Sequence, residues 1–349
     1  MANQHGAPMS GILIVGPSWI GDMVMAQSLY IALRQRNPEV RIDVLAPAWS
    51  APVLRRMPEV HRAVSMPIGH GTLGLMQRYR LGRSLRAEHY AQAIVLPRSF
   101  KSALTPFFAG IKRRTGFRGE TRYGLINDMR ALDKEAMPLM VQRYLALGSE
   151  SGAVPVAFAD MPRPHLCIDA DNQRRLLAEL ALDVSRPVIG FMPGAEYGPA
   201  KRWPPEHFAA LARALIERGR RVWLFGSEKD AAICAEIARL AGADFAADII
   251  DLSGRTRLED AIDLIALTEW AVTNDSGLMH VAAATGRRIL ALYGSSTPSY
   301  TPPLSDRAEV MYLGLECSPC FERQCPLGHY HCLRQLEVES VLWRMGVFG

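Results

Sequence analysis

The sequence predicts an α/β protein of two doubly wound, Rossmann-like domains. Three observations lead there. The chain has 349 residues, more than a single hydrophobic core usually supports, so two domains of roughly 150 to 190 residues follow. Near the start, a short apolar run, a glycine-bearing loop and a segment of helical periodicity succeed one another, the order of a strand, loop and helix unit. The same succession begins again near residue 188, after a proline-rich interval.

Ile12–Gly16 reads as a buried parallel strand, because it is a brief continuous apolar run ending in Gly-Pro. The loop Pro17–Asp22 leads to a helix over Met23–Arg36, which Asn37-Pro38 closes. Ile42–Ala46 and Ala93–Leu96 are further strands, with helical spacing over Met76–Arg86 between them. Residues 151–187 carry Pro155, Pro162, Pro164 and Pro187 and little periodicity, which places the connection between domains there. Strands then follow at Val188–Met192, Arg221–Phe225, Trp270–Thr273 and Arg288–Tyr293. Helices separate them near Pro205–Arg218, Asp230–Leu240, Leu258–Thr268 and Leu278–Ala284. The expected domains are 1–165 and 185–333, followed by a terminal helical segment over 334–349.

Hydrophobic residues at 49% and charged residues at 21% are ordinary globular values and leave no room for a long disordered tail. No apolar stretch of about 18 residues occurs, and the N-terminus lacks a basic start followed by an apolar run, so a cytoplasmic protein is expected. The net charge of +5 is uneven. Residues 1–160 hold 20 Lys and Arg against 11 Asp and Glu, whereas 161–349 hold 20 against 24. A basic first half points to an anionic partner, although a solvated basic face gives the same count.

Four constellations carry chemistry. Gly16-Pro17-Ser18-Trp19-Ile20-Gly21-Asp22 lies between the first strand and the first helix, where open α/β sheets bind ligands. It is not a GxGxxG fingerprint, which argues against a nicotinamide cofactor. Asp22 suits either an N-cap or a general base. Gly194–Pro204 ends its loop in Lys201-Arg202 just before a helix, a pattern that suits a diphosphate or a solvated basic pair. Thr273–Ala284 follows a strand and opens an Ala-rich helix, so Ser276, Gly277 and the next backbone N–H groups can cradle phosphate oxygens. Asp275 can accept sugar hydroxyls there, and His280 shares a face with Ser276 or is simply packed. Finally, Cys317, Cys320, Cys325 and Cys332 with His329 and His331 are consistent with a structural zinc or with four free thiols. Cys167 and Cys234 read as isolated core thiols.

Together GPSWIGDM at 16–23, PGAEYGPAKRWP at 193–204 and NDSGLMHVAAA at 274–284 resemble the ADP-heptose:lipopolysaccharide heptosyltransferases. LPRSFKSALTPFFAG at 96–110, GFRGETRYGLIND at 116–128 and TPPLS at 301–305 extend the resemblance over nearly the whole chain. It implies a GT-B fold, two Rossmann-like domains facing across a cleft, with a terminal helix that commonly returns towards the first domain, and an inverting transfer that needs no metal or other cofactor. The donor implied is ADP-heptose, and the acceptor is Kdo2-lipid A already bearing one heptose. By the family pattern, Asp22 is the general base and Lys201 the cation on the leaving ADP. Tyr197, Lys201, Ser227, Glu228, Asp275, Ser276, Gly277 and His280 become donor contacts.

The polyanionic acceptor then explains the basic first half, which would meet it at the cytoplasmic face of the inner membrane. Ser18, Trp19, Arg98, Lys101, Arg118 and Arg122 are the expected acceptor contacts, with Arg113 and Arg114 nearby. Three rivals are weighed against this: another sugar-nucleotide enzyme of the same architecture, either a heptosyltransferase for the first or third heptose or an epimerase, a nicotinamide oxidoreductase and a nucleic-acid-binding module. The last finds no recognition motif to accompany its basic residues, so no nucleic-acid partner is expected.

Overall fold

The computed structural model describes residues 11–69 and 71–347. The first ten residues, which enter the N-terminal reading above, lie outside that range. The chain divides into two compact units, Met1–Pro164 and His165–Gly349.

The first unit holds six parallel strands: β1 (Gly11–Val15), β2 (Arg41–Pro47), β3 (Arg62–Met66), β4 (Gln92–Val95), β5 (Arg113–Phe117) and β6 (Asp128–Arg130). Its helices are α1 (Ile20–Arg36), α2 (Ala51–Arg55), α3 (Leu75–Ser84), α4 (Leu104–Phe108) and α5 (Met140–Gly148). The second unit has β7 (Val188–Met192), β8 (Arg221–Leu224), β9 (Ile249–Asp251), β10 (Trp270–Asn274), β11 (Arg288–Tyr293) and β12 (Ala308–Tyr312), again all parallel. Its helices are α6 (Ala170–Glu179), α7 (Pro205–Ile216), α8 (Ala231–Ala241), α9 (Leu258–Ile265), α10 (Gly277–Ala284), α11 (His331–Arg334) and α12 (Val338–Met345).

The strand orders are β3-β2-β1-β4-β5-β6 and β9-β8-β7-β10-β11-β12. Each is the 3-2-1-4-5-6 order of the doubly wound nucleotide fold, so the winding reverses between β1 and β4 and again between β7 and β10. Loops leaving the carboxyl ends of those strands diverge there and open a crevice. These are the two Rossmann-like units that the GT-B class requires.

The central strands are continuous apolar runs because both faces are covered. GILIV in β1 and VIGFM in β7 are buried throughout. Leu13, Val15, Leu45 and Val95 centre the first core, and Ile189, Phe191, Trp203, Val272 and Leu292 the second. Helix α5 packs on α1, and Gly148 at its end allows the approach, since a Cβ there would stand 2.2 Å from Leu29 Cδ1.

One expectation changes. The interval 151–187 is not all connection: it contains α6, capped by the Asp169 carboxylate on the N–H groups of Asp171 and Asn172. Asn172 and Gln173 then tie α6 to α9 through Asp260 and Asp263, so the segment from His165 belongs to the second unit. The terminal helix α12 packs on α7 and β11, and its Val341 and Met345 enter the core of the second unit. Its apolar face is therefore used there. Among the described residues no helix is long and apolar enough to cross a membrane.

Candidate active site

In the second unit the loops after β7 and β10 meet through Asn274, the buried last residue of β10. Its side-chain oxygen accepts from Trp203 N at 3.0 Å, and its amide donates to Pro193 O at 2.7 Å. Both bonds are made where neither loop has a strand partner left, so they fix the crevice between them. The next residue, Asp275, carries the charge. Its Oδ2 accepts from Lys201 Nζ at 2.5 Å and from Ser296 Oγ at 2.5 Å. The carboxylate is 6% exposed and the lysine 18%, so the pair is short and little screened, yet open on the lysine side.

Helix α10 starts at Gly277, directly after this pair. Its N-cap, Ser276, makes no side-chain hydrogen bond to the first turn. The leading N–H groups and the positive helix end are thus presented beside Lys201, an arrangement suited to phosphate oxygens. His280, in the same helix, is buried, and its pKa falls to about 4. Burial is the main cause, Asp275 opposes it and Lys201 adds to it. The imidazole is therefore neutral at physiological pH and adds no cation to the site.

Tyr197 lies on the same loop as Lys201, with the lysine Nζ 5.1 Å from its ring centroid. Its hydroxyl donates to Phe321 O. Ser227 spends its hydroxyl on Asp230 at 2.8 Å. Gly194 and Gly226 make room for that carboxylate, since a Cβ at Gly194 would stand 2.3 Å from Asp230 Oδ1. Glu228, beside it, is exposed.

In the first unit Asp22 is the third residue of α1, whose N-cap is Trp19, so the simple capping role is not its own. Tyr144 Oη on α5 donates to Asp22 Oδ1 at 3.1 Å. Trp19 and Trp49 are each about half exposed, and Trp49 Nε1 donates to Ser18 O at 3.1 Å. These groups line the loop that leaves β1.

The loop leaving β4 carries Arg98 and Lys101. Arg98 Nε donates to Arg118 O at 3.2 Å, and both arginines are exposed. Arg122 corrects an expectation. It is 1% exposed, and its guanidinium donates to Pro97 O at 2.7 Å, to Ser102 Oγ at 3.3 Å and to Phe117 O at 2.5 Å. Burial, with Arg98 adding to it, lowers its pKa to about 10. A guanidinium so enclosed clamps the loops after β4 and β5 and cannot reach an acceptor. Arg114 is similarly spent on the carbonyls of Leu125 and Gly124, and Arg113 on Asp128.

Sequence reasoning missed Asn274, Ser296, Tyr144 and Asp230. Asn274 and Asp230 stood inside segments already singled out, and only their pairings were hidden. Ser296 and Tyr144 had no local signal.

Residues 78–331 match the family model described as glycosyltransferase family 9 (heptosyltransferase). The chain belongs to glycosyltransferase family 9. Lipopolysaccharide heptosyltransferase 2 of Escherichia coli K12 is 53% identical to this family 9 chain over 306 residues, covering 86% of it and 88% of the relative. Lipooligosaccharide heptosyltransferase 2 of Haemophilus influenzae is 51% identical over 308 residues, with the same coverage. The solved structure of E. coli ADP-heptose LPS heptosyltransferase II superposes with a TM-score of 0.85 at 48% identity, over 96% of this chain and 97% of that one. Membership of family 9 makes the chain a glycosyltransferase and sets aside the epimerase, oxidoreductase and nucleic-acid readings.

A structural zinc at the four-cysteine segment, one of the two readings its spacing leaves open, is not supported. Among the described residues no group of three or more His, Cys, Asp and Glu side chains is placed to hold a metal ion. Cys317, Cys320, Cys325 and Cys332 are free thiols that line one small pocket without converging on a point. Burial, with the other three thiols adding to it, pushes Cys332 up to about 11, which keeps it protonated. Cys234 is a buried core thiol as expected, whereas Cys167 is exposed.

Proposed function

We propose that this family 9 enzyme transfers L-glycero-D-manno-heptose from ADP-heptose to the heptose of heptosyl-Kdo2-lipid A, with inversion and without a metal. The observation that carries the reading is Lys201 held on Asp275 at the uncapped start of α10. That is a cation and a positive helix end at one switch point of the sheet, where a departing diphosphate needs them. The names of relatives at 51 to 53% identity supply the sugar and the acceptor class.

In this mechanism Asp22 takes the proton from the acceptor hydroxyl. The oxygen attacks the anomeric carbon, the bond to the phosphate oxygen breaks on the opposite face, and its electron pair leaves with ADP. Lys201 and the N–H groups at Ser276–Gly277 offset the growing charge; losing one such donor costs ~3 to 4 kcal/mol in analogous sites. Tyr197, Ser227 and Glu228 border the adenosine side, with Asp275 and His280 beneath the sugar and phosphates. Ser18, Trp19, Arg98, Lys101 and Arg118 take the acceptor, whose carboxylates and phosphates suit exposed arginine forks. The same basic residues hold the enzyme to the anionic cytoplasmic surface of the inner membrane.

The test is incubation of purified enzyme with ADP-heptose and either heptose-bearing or heptose-free Kdo2-lipid A. Incorporation into the first alone is expected. Asp22→Ala should lose roughly 100- to 10,000-fold in turnover, the range for a general base, while ADP binding survives. Transfer to the heptose-free acceptor would reject the acceptor assignment, and near-normal turnover by the variant would remove Asp22 from its role.

A further inference from the structure

The donor implied by the proposed function is a polyanion, yet the residues from 161 onward hold 24 acidic against 20 basic side chains. Bulk charge does not draw ADP to the second unit, so the start of α10 and the local cations must. Two near the site are already matched: Lys201 by Asp275 at 2.5 Å and Lys229 by Glu196 at 2.7 Å. Arg323 has no carboxylate partner among the described residues.

Arg323 is nonetheless held firmly in place. Its carbonyl accepts from Ala200 N at 3.1 Å, one residue before Lys201. Gly198 permits this approach: its φ is +154°, and a Cβ would lie 2.5 Å from Arg323 O. Two residues earlier, Phe321 O receives the Tyr197 hydroxyl, and Phe321 N donates to Ser295 O at 2.7 Å. The neighbouring Ser296 is the hydroxyl on Asp275. The segment around Phe321–Arg323 thus joins the lysine loop to the loop that supports its counter-ion. The Arg323 guanidinium carbon stands 5.2 Å from the Tyr197 ring centroid, against 5.1 Å for Lys201 Nζ. One aromatic ring therefore orients both cations and sets them no more than about 10 Å apart.

We infer that Arg323 is a second donor-binding cation, which takes the diphosphate of the nucleotide sugar and shares its charge as the leaving group departs. An arginine suits that task because its planar fork binds two phosphate oxygens at once. The inference rests on the proposed function, since it assumes that ADP binds beside Lys201.

The test uses the full chain with Arg323→Gln and Arg323→Lys. The side chain is exposed, so neither change should disturb the core. Calorimetric titration with ADP, and with adenosine as a probe lacking phosphates, is compared with kcat and KM for ADP-heptose. Arg323→Gln should weaken ADP roughly 10- to 100-fold, the range for a lost charge-assisted hydrogen bond, and leave adenosine unchanged. Arg323→Lys should recover part of the loss. Wild-type affinity and turnover in Arg323→Gln would overturn the inference, as would an equal loss for ADP and adenosine, the mark of a structural role. Failure of the wild-type chain itself to bind ADP would overturn the proposed function together with it.

Discussion

At the scale of residues, the site is a set of charges whose neighbours decide their form. Asp275 holds Lys201 and Ser296 on its Oδ2, and that pairing leaves the buried His280 next to a pair with no net charge. Desolvation then wins, and the imidazole stays neutral. The sign of the pH effect follows. A histidine whose folded pKa lies below its unfolded value of 6.5 binds its proton more tightly when unfolded, so stability is full above pH 6.5 and falls as the pH drops towards 4. The whole shift amounts to about 3 kcal/mol, of which about 2 is lost by pH 5. Urea unfolding of the wild type and of His280→Gln at pH 7.5 and pH 5 checks this. The difference between the two proteins should narrow by about 2 kcal/mol at the lower pH, and parallel behaviour would rule out a buried neutral histidine. Such pairings were not legible in the sequence. Lys201 and Asp275 were both singled out, but the bond between them spans 74 residues and no local pattern announces it.

At the scale of elements, legibility followed burial. The central strands β1, β2, β4, β7, β8, β10 and β11 stood out as apolar runs because both faces are covered. The outer strands did not: β3 reads RAVSM with no fully buried position, and β6 is DMR. Helix α6 was hidden for the same reason, since only Leu176 is buried in ADNQRRLLAE and a single apolar contact makes no period. Charge alone could not separate Arg98 from Arg122 either, although one is exposed and the other enclosed. The clamp made by Arg122 gives an element-level prediction. Arg122→Met should strand the carbonyls of Pro97 and Phe117 and cost about 2 to 3 kcal/mol in urea unfolding. Arg98→Gln should stay within about 0.5 kcal/mol of wild type, as exposed substitutions do. Equal stability of the two variants would show that the loops after β4 and β5 do not depend on the buried guanidinium.

At the scale of the molecule, one topology is used twice, and each copy places its polar loops at the reversal of its own sheet. The first turn of α1, which follows β1, and the loop after β4 hold Asp22, Arg98 and Lys101, while the loops after β7 and β10 hold Lys201 and Asp275. The proposed function assigns the nucleotide to the second copy alone, and this has a measurable consequence. A ligand bound only to the folded state at a hundred times its Kd stabilises what it binds by about 2.7 kcal/mol, which slows hydrogen exchange roughly 100-fold wherever exchange requires that unit to unfold. Saturation with ADP should therefore slow exchange in β7 and β10 and over 193–203 and 274–280, and leave β1 and β4 at their unliganded rates. Peptide-resolved exchange with mass spectrometry reads both regions in one experiment. Slowing confined to β1 and β4 would put the nucleotide in the first unit, and the roles proposed for Lys201, the start of α10 and Arg323 would fall together.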